Sequence, residues 1–330
     1  MRPAKGYGLV LFLAWLTLAG GAGDTQTARV SLESLSESDR STPAKAERSG
    51  TSIRVNSDLV LIPVTVLDRR DGFVAGLEKE HFRLFEDKVE QAITHFASED
   101  APISVGFVID ASASMGGKIH KARESVARFL KTANPNDEFF LVQFNDRVEL
   151  LTGMTRQTEE IKNGTMWVRP TGRTALLDAI QFSILQMRQA RHPRKALIIL
   201  SDGGDNNSRC TMSEVKNLVR ETDVQIYSMG VFEPFIVRAR TPEEVLGPAL
   251  LREISEQTGG KLFDIDDPGE LPDVASKISM ALRNQYVLGY APVNSQHDGK
   301  YHSVHVKLMP PKGFPRLHTS WRRGFYAPVE

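Results

Sequence analysis

Short apolar runs alternate with helix-length amphipathic segments between about residues 102 and 285, and this alternation limits the possible folds more than any other feature. Strands that are buried on both faces read as continuous apolar runs, whereas half-exposed strands alternate apolar and polar residues. The pattern therefore predicts a doubly wound α/β domain, with a mostly parallel sheet covered by helices on both faces. The predicted strands are 105–109, 139–144, 196–200, 224–229 and 261–263, and the predicted helices are 119–131, 158–168, 174–190, 213–222, 243–257 and 270–284.

The segments on either side of this domain have β character. The predicted strands of these flanks are 59–67, 82–88 and 89–96 before the domain and 285–290, 302–308 and 317–326 after it. Neither flank has enough strands for a core of its own, so we expect the two to pair in space as one small β-sandwich. Two separate β appendages are the alternative. Pro63 cannot donate a ladder hydrogen bond, so its strand is expected at a sheet edge or a bulge.

The first 23 residues have the order of a secretory signal peptide. Arg2 and Lys5 precede the apolar run Leu9–Leu18, and small residues fill positions 19–23. The run is short for a membrane span, so cleavage is expected, with an uncleaved anchor as the alternative. Polar residues dominate 24–52, which predicts a flexible tail. We therefore expect a secreted, periplasmic or cell-envelope protein with no transmembrane segment in the mature chain.

These patterns predict five segments along the chain. They are a signal peptide (1–23), a flexible tail (24–52), an N-terminal β segment (53–101), the α/β domain (102–285) and a C-terminal β segment (286–330).

Charge points to no particular partner, because 41 basic residues balance 41 acidic ones. Without a basic patch, no nucleic-acid partner is expected. Cys210 is the only cysteine in the sequence, which excludes an intrachain disulfide and a cysteine metal cluster.

Oxygen-bearing side chains follow the strands of the α/β domain at the positions where such sheets bind ligands. Asp110, Ser112 and Ser114 come directly after the first strand, Asp202 follows the third, and Thr174 opens a helix between them. Each residue alone has an ordinary explanation as a helix cap or a turn residue. Together, each after the expected element, they favour a shared site.

The donor set at this site is that of a hard cation. Hydroxyl and carboxylate oxygens without histidine or cysteine suit Mg²⁺, Mn²⁺ or Ca²⁺ rather than zinc or copper. A small number of carboxylates beside several hydroxyls favours Mg²⁺, which retains some of its water.

The pattern Asp110-x-Ser112-x-Ser114, with the Thr174 segment and Ser201-Asp202-Gly203, resembles the metal-ion-dependent adhesion site of von Willebrand factor type A domains. On looser patterns, the whole chain is similar to bacterial exported proteins often called VWFA-related domain proteins. The resemblance implies a Rossmann-like sheet with one antiparallel edge strand. It also implies direct metal contacts from Ser112 and Ser114, a direct contact from Thr174 in some states, and contacts largely through water from Asp110 and Asp202. Arg173 stands where the family often has glycine.

The function expected from this site is binding rather than catalysis. One metal position is left for an incoming oxygen, and the Asp or Glu carboxylate of a protein partner is its natural occupant. The sequence has no nucleophile elbow, P-loop or His-Glu-x-x-His pattern. The alternatives are a metal-assisted hydrolase, with Asp178 or Asp205 as general base, and a structural domain of a cell-envelope assembly.

Histidine and cysteine are the other residue types in the sequence that could act as ligands or nucleophiles. His302 and His305 are three apart on a predicted strand, so they face opposite sides and are expected to be sheet-surface residues rather than ligands. Cys210 is expected to be a buried or partly buried thiol without special reactivity.

Overall fold

The computed structural model describes residues 59–98, 100–232, 242–292, 298–311, 313–314 and 316–327. The predicted signal peptide and flexible tail lie outside these residues. The described strands are β1 (Val60–Leu67), β2 (Phe82–Glu86), β3 (Val89–Gln91), β4 (His95–Ala97), β5 (Ile103–Asp110), β6 (Glu138–Phe144), β7 (Val148–Thr155), β8 (Arg194–Ser201), β9 (Gln225–Val231), β10 (Leu262–Ile265), β11 (Tyr286–Tyr290), β12 (Tyr301–Leu308), β13 (His318–Trp321) and β14 (Gly324–Tyr326). The described α-helices are α1 (Ile119–Leu130), α2 (Thr158–Thr165), α3 (Leu176–Gln186), α4 (Met212–Glu221), α5 (Pro242–Gln257) and α6 (Leu271–Arg283).

A six-stranded sheet with the order β10-β9-β8-β5-β6-β7 forms the centre of the α/β domain. Its neighbouring strands are parallel, except that the edge strand β7 runs antiparallel to β6. Apolar side chains of α1 and α6 pack on one face, and those of α3, α4 and α5 pack on the other. The predicted doubly wound fold is confirmed, including the antiparallel edge strand that the family resemblance implied.

Strand β5 shows why the apolar runs predicted this arrangement. It lies between β8 and β6, and all of its eight residues are buried because helices cover both faces. The edge strand β7 was not predicted. Its residues are intermediate or exposed, so the segment lacks the continuous apolar run that marks the inner strands.

The two β flanks join into a sandwich of two antiparallel sheets. One sheet has the order β13-β1-β11-β4 and the other β14-β12-β2-β3, so each contains strands from before and after the α/β domain. Their inner faces share one core, which includes Val64, Leu84, Leu288 and Val306. The prediction of paired flanks is confirmed, and the alternative of two separate appendages is wrong.

The prediction that Pro63 places β1 at a sheet edge is wrong. Strand β1 lies between β13 and β11. Pro63 pairs with Val287 of β11, whereas the pairing with β13 covers only Val64–Leu67. The proline is tolerated because it lies beyond the end of β13, where one side of the strand has no ladder partner.

A buried polar network joins the sandwich to the α/β sheet. The Gln285 amide donates to Thr65 Oγ1 at 3.0 Å and to Gln225 Oε1 at 2.6 Å. The Tyr227 hydroxyl lies 3.3 Å from Thr65 Oγ1. Because polar groups in a buried interface need specific partners, this network fixes the register between the two parts.

No helix in the described part of the chain is long and apolar enough to cross a membrane.

Candidate functional site

Asp110 is the last residue of β5 and is completely buried at the carboxyl edge of the sheet. One carboxylate oxygen accepts a hydrogen bond from the Ser112 backbone N–H at 2.8 Å. The other accepts from the Ser201 hydroxyl, on the neighbouring strand β8, at 2.6 Å. The Gly203 N–H donates in turn to Ser201 Oγ at 3.0 Å. Hydrogen bonds from two loops therefore fix the orientation of the Asp110 carboxylate.

Ser112 and Ser114 stand side by side in the loop that follows. Their hydroxyl oxygens are 3.0 Å apart, with Ser112 buried and Ser114 exposed. A short 3₁₀ turn, Ala113–Met115, sets this spacing. Two oxygens at this separation, one of them open to solvent, can share one cation.

Backbone hydrogen bonds bring the Thr174 loop against the Asp110 loop. The Thr171 N–H donates to the Ala111 carbonyl at 2.8 Å, and the Ala113 N–H donates to the Gly172 carbonyl at 3.2 Å. Gly172 has φ +76°, and a Cβ there would lie 2.2 Å from an Asp146 carboxylate oxygen. Only glycine accommodates both the positive φ and this close approach.

Thr174 is buried, and the third loop fixes its backbone. Its N–H donates to Asn206 Oδ1 at 2.9 Å, and its carbonyl accepts from the Asn206 and Asn207 N–H groups at 3.0 and 3.1 Å. Asn206 belongs to the loop that begins with Asp202, so all three predicted loops converge on one edge of the sheet.

The electrostatics of the site are dominated by Asp110 and Asp202. Burial, reinforced by the negative charge of Asp202, raises the pKa of Asp110 to about 7. Hydrogen bonds from Ser112 and Ser201 lower this pKa only in part. The Lys118 ammonium group lies 3.8 Å from the Asp202 carboxylate and supplies a single positive charge. The geometry thus holds two acids close together in a poorly solvated place.

A cavity of about 310 Å³ opens beside Ser114. Ser114, Lys118 and Asp266 contribute polar groups to its lining, and Val231, Phe232 and Pro268 contribute apolar surface. This space adjoins the exposed side of the Asp110 site and has room for a side chain from another molecule.

Three residues around the site were not assigned a role from the sequence. Ser201 orients Asp110, Asn206 anchors Thr174, and Lys118 forms an ion pair with Asp202. The sequence could have pointed to Ser201 and Asn206, because Ser201 ends β8 and Asn206 lies in the loop after it. Lys118 had no such signal, because a lysine at the start of a helix is usually solvent-exposed.

The two candidate general bases of the hydrolase alternative are both engaged in hydrogen bonds. Asp178 accepts from the N–H groups of Arg209 and Cys210 at 2.9 and 2.8 Å. Although burial acts to raise the pKa of Asp178, these hydrogen bonds hold it below its ordinary value. Asp205 Oδ1 accepts from the Ser208 hydroxyl at 2.5 Å and from the Leu177 N–H at 3.3 Å.

Cys210 is partly buried, as the sequence predicted. Its thiol donates to Gln181 Oε1 at 2.7 Å. Burial and the neighbouring Asp178 raise the pKa of this thiol to about 11, which keeps it protonated at neutral pH.

The two histidines of β12 have different surroundings, and one expectation for them is wrong. His305 is exposed and packs edge-on against Trp321. The side chain of His302 is only 16% exposed and lies 3.1 Å from Glu86 Oε1 and 2.9 Å from Asp87 Oδ2. The alternation along β12 correctly placed the two histidines on opposite faces. It could not show that the end of β2 and the turn after it place Glu86 and Asp87 beside His302.

Comparison with known proteins finds similarity in the region of the α/β domain. Residues 105–204 match the family model of the von Willebrand factor type A domain. An uncharacterized protein of Borreliella burgdorferi is 24% identical over 188 residues, which are 51% of this chain and 55% of that protein. Inter alpha-trypsin inhibitor, heavy chain 4, of Mus musculus is 29% identical over 153 residues, covering 42% of this chain and 16% of the relative.

A solved structure described as von Willebrand factor type A from Catenulispora acidiphila has a similar fold. The TM-score is 0.48 at 14% identity, with 84% of this chain and 75% of that chain covered. The chain spans about half the length of the Borreliella relative and about one sixth of the Mus musculus relative. Residues 105–204 of the central α/β domain are therefore similar to von Willebrand factor type A domains.

Proposed function

We propose that the Asp110 site binds one hard divalent cation, Mg²⁺ or a similar ion, and that the bound ion recognises a carboxylate of a protein partner. The metal set in this proposal is Asp110, Ser112, Ser114, Thr174 and Asp202. The observation that carries it is the convergence of the three loops at the carboxyl edge of the sheet, with Ser112 and Ser114 hydroxyls 3.0 Å apart beside Asp110.

The residues present fit such an ion. The five proposed ligands offer only oxygen donors, which suit Mg²⁺, Mn²⁺ or Ca²⁺. The raised pKa of Asp110 supports a need for positive charge, because Lys118 supplies one charge against two carboxylates. A divalent cation would balance the pair and stabilise Asp110 in its ionised form.

Binding is favoured over hydrolysis by the state of the surrounding acids. A general base must be free to accept a proton from water within hydrogen-bond reach. Asp178 and Asp205 instead accept hydrogen bonds that hold the loop after Asp202 against α3. In our proposal these acids shape the site, and the protein is not an enzyme.

The proposed partner is a protein that presents an Asp or Glu side chain. Such a carboxylate would reach the ion from the side of Ser114, where the adjoining cavity offers both apolar surface and Lys118. Most of the affinity would come from the surrounding surface, and the metal bond would orient the partner. The apolar segment near the N-terminus supports export, so we place this interaction outside the cytoplasm.

Isothermal titration of the metal-free full chain with Mg²⁺ and Mn²⁺ tests the proposal. We expect saturable binding that Ser114→Ala and Asp202→Asn weaken by at least about tenfold, since each removes a ligand oxygen or a charge. Asp223→Asn is the matched control, because this exposed carboxylate pairs with Lys195 at the opposite edge of the sheet, away from the three loops. Equal binding by the wild type and both site variants would refute the proposed site.

A further inference from the structure

A second group of charged side chains lies in the β-sandwich, on elements separate from the Asp110 site. His302 is on β12, Glu86 ends β2, and Asp87 begins the turn to β3. Their potential ligand atoms all lie within 4.8 Å of one another. His302 Nδ1 is 3.1 Å from Glu86 Oε1 and 2.9 Å from Asp87 Oδ2. One imidazole nitrogen and two carboxylate oxygens therefore face a common point.

Hydrogen bonds to their other atoms hold two of these side chains in place. Asp87 Oδ1 accepts from the Ser303 N–H at 2.8 Å and the Ser303 hydroxyl at 2.9 Å, so Oδ2 is left facing His302. The far nitrogen of His302, Nε2, lies 3.4 Å from Asp298 Oδ1. A carboxylate on the far nitrogen is the usual support of a metal-ligating histidine, because it fixes the ring and raises its basicity.

Tyr290 gives a separate indication that this group is incomplete. Its side chain is fully buried, and its hydroxyl interacts with the Glu86 carboxylate beside it. That contact falls outside the usual distance and angle limits of a hydrogen bond, and no other described residue provides one. Burial and the negative charge of Glu86 beside it raise the pKa of this phenol. A buried donor without a completed hydrogen bond is costly. If an ion bound one oxygen of the Glu86 carboxylate, the other oxygen would be free to accept a hydrogen bond from the Tyr290 hydroxyl.

We propose that Glu86, Asp87 and His302 bind a divalent first-row transition-metal ion, with Asp298 positioning the imidazole. The imidazole distinguishes this site from the oxygen-only site at Asp110, because mixed nitrogen and carboxylate ligands favour Zn²⁺ and its neighbours over Mg²⁺. The carboxylates of Glu86 and Asp87 balance the charge of the ion. The ion would tie the β2–β3 turn to β12 and so stabilise the sandwich.

Cobalt and zinc titrations of the full chain test this site. Excess Mg²⁺ is present throughout to fill an oxygen-only site, and Co²⁺ binding is followed by its visible absorption. We expect one Co²⁺ per chain that Zn²⁺ displaces, and a Zn²⁺-dependent rise in Tm. His302→Gln and Glu86→Gln should abolish both signals, whereas Asp298→Asn should weaken binding about 10- to 100-fold.

His305→Gln is the matched control, because it removes a histidine from the same strand outside the cluster. Far-UV circular dichroism and the Tm without metal establish that each variant is folded, and Asp87→Asn, which keeps the Ser303 hydrogen bonds, serves as a second probe. Identical Co²⁺ spectra for the wild type and His302→Gln would overturn the proposal. So would loss of the signal in Ser114→Ala but not in His302→Gln, which would assign the ion to the Asp110 site.

Discussion

Lys118 Nζ lies 3.8 Å from Asp202 Oδ2, and the two side chains are only 10% and 18% exposed. The same ammonium group donates to the Val231 carbonyl at 3.4 Å. A fixed cation beside a proposed metal ligand repels an incoming divalent ion and offsets part of its attraction to Asp202. Lys118 would therefore weaken binding of the proposed cation at this edge of the sheet.

Replacing Lys118 should therefore strengthen metal binding. We expect Lys118→Met, which keeps most of the apolar stem, to lower the Kd for Mg²⁺ by about tenfold because the repulsion is removed. Isothermal titration measures the change. Lys121→Met is the control, since Lys121 pairs with Glu124 on the exposed side of α1. Weaker Mg²⁺ binding by Lys118→Met would show that Lys118 supports the site instead.

The stability of the metal-free protein should depend on pH through Asp110. Folding raises the pKa of this carboxyl from 3.8 to about 7, so within that window the folded state holds a proton that the unfolded state has lost. The contribution of Asp110 to the free energy of unfolding therefore falls as pH rises from about 4 to about 7. Urea unfolding of the wild type and Asp110→Asn across this range isolates the effect.

Two comparisons make the pH prediction specific. Asp110→Asn should be at least as stable as the metal-free wild type at pH 7.5, because the amide avoids a buried charge. Saturating Mg²⁺ should remove the fall in the wild type and leave the variant unchanged, since the ion binds the ionised carboxylate. A metal-free wild type that gains stability over the variant as pH rises would contradict the assignment.

The buried ion pair between Asp137 and Arg283 should contribute strongly to stability. Arg283 donates to Asp137 at 2.6 Å, and the side chains are 9% and 0% exposed. Asp137 also accepts from the Ile103 and Asn134 N–H groups, so it joins β5, the loop before β6 and the end of α6. Asp137→Ala leaves the buried Arg283 charge with only the half-exposed Asp100 carboxylate, 3.5 Å away, and should cost about 3–5 kcal/mol in urea unfolding.

An exposed ion pair supplies the control for this measurement. Arg83 and Glu90 are 3.2 Å apart, and both side chains are 50% exposed. Glu90→Gln should change the free energy of unfolding by less than about 1 kcal/mol, because solvent screens the pair. Similar losses for the two variants would show that burial does not govern these interactions.

Cys210 should react slowly with alkylating reagents. Its thiol pKa of about 11 leaves little thiolate at pH 8, and the thiolate is the nucleophile. We expect iodoacetamide to modify it about a hundredfold more slowly in the folded chain than in urea, where the pKa returns to about 8.5. Mass spectrometry of timed samples measures both rates. Equal rates would mean that the folded thiol is neither buried nor held by Gln181.

Local sequence patterns were enough to predict the α/β domain and the loops of its site. The inner strands are buried on both faces, so each is a continuous apolar run in the sequence. Asp110 and Asp202 come directly after two of these runs. Strand β7 escaped detection because an edge strand needs no such run. The prediction of an edge position from Pro63 was wrong because β1 is a central strand. Pro63 itself lies past the end of the neighbouring strand β13.

Features that depend on contacts distant in sequence were beyond prediction. Lys118 meets Asp202 only because α1 begins beside the carboxyl end of β8. His302 meets Glu86 and Asp87 because β12 pairs with β2 across the whole α/β domain, a separation of more than 200 residues. Periodicity places a side chain on a face of its own strand, but the partner strand decides what lies over it.

The sandwich has a consequence for the order in which the chain matures. Strands β1 and β2 are synthesised early, yet their partners β11, β12 and β13 emerge only after the α/β domain is complete. Until then these early strands have unpaired edges, which are open to association with other chains. The α/β domain can reach its fold first and bring its two ends together, and the late strands then pair with the early ones. Chains released before residue 318 would leave β1 without one of its neighbours, so early termination endangers the first strands made.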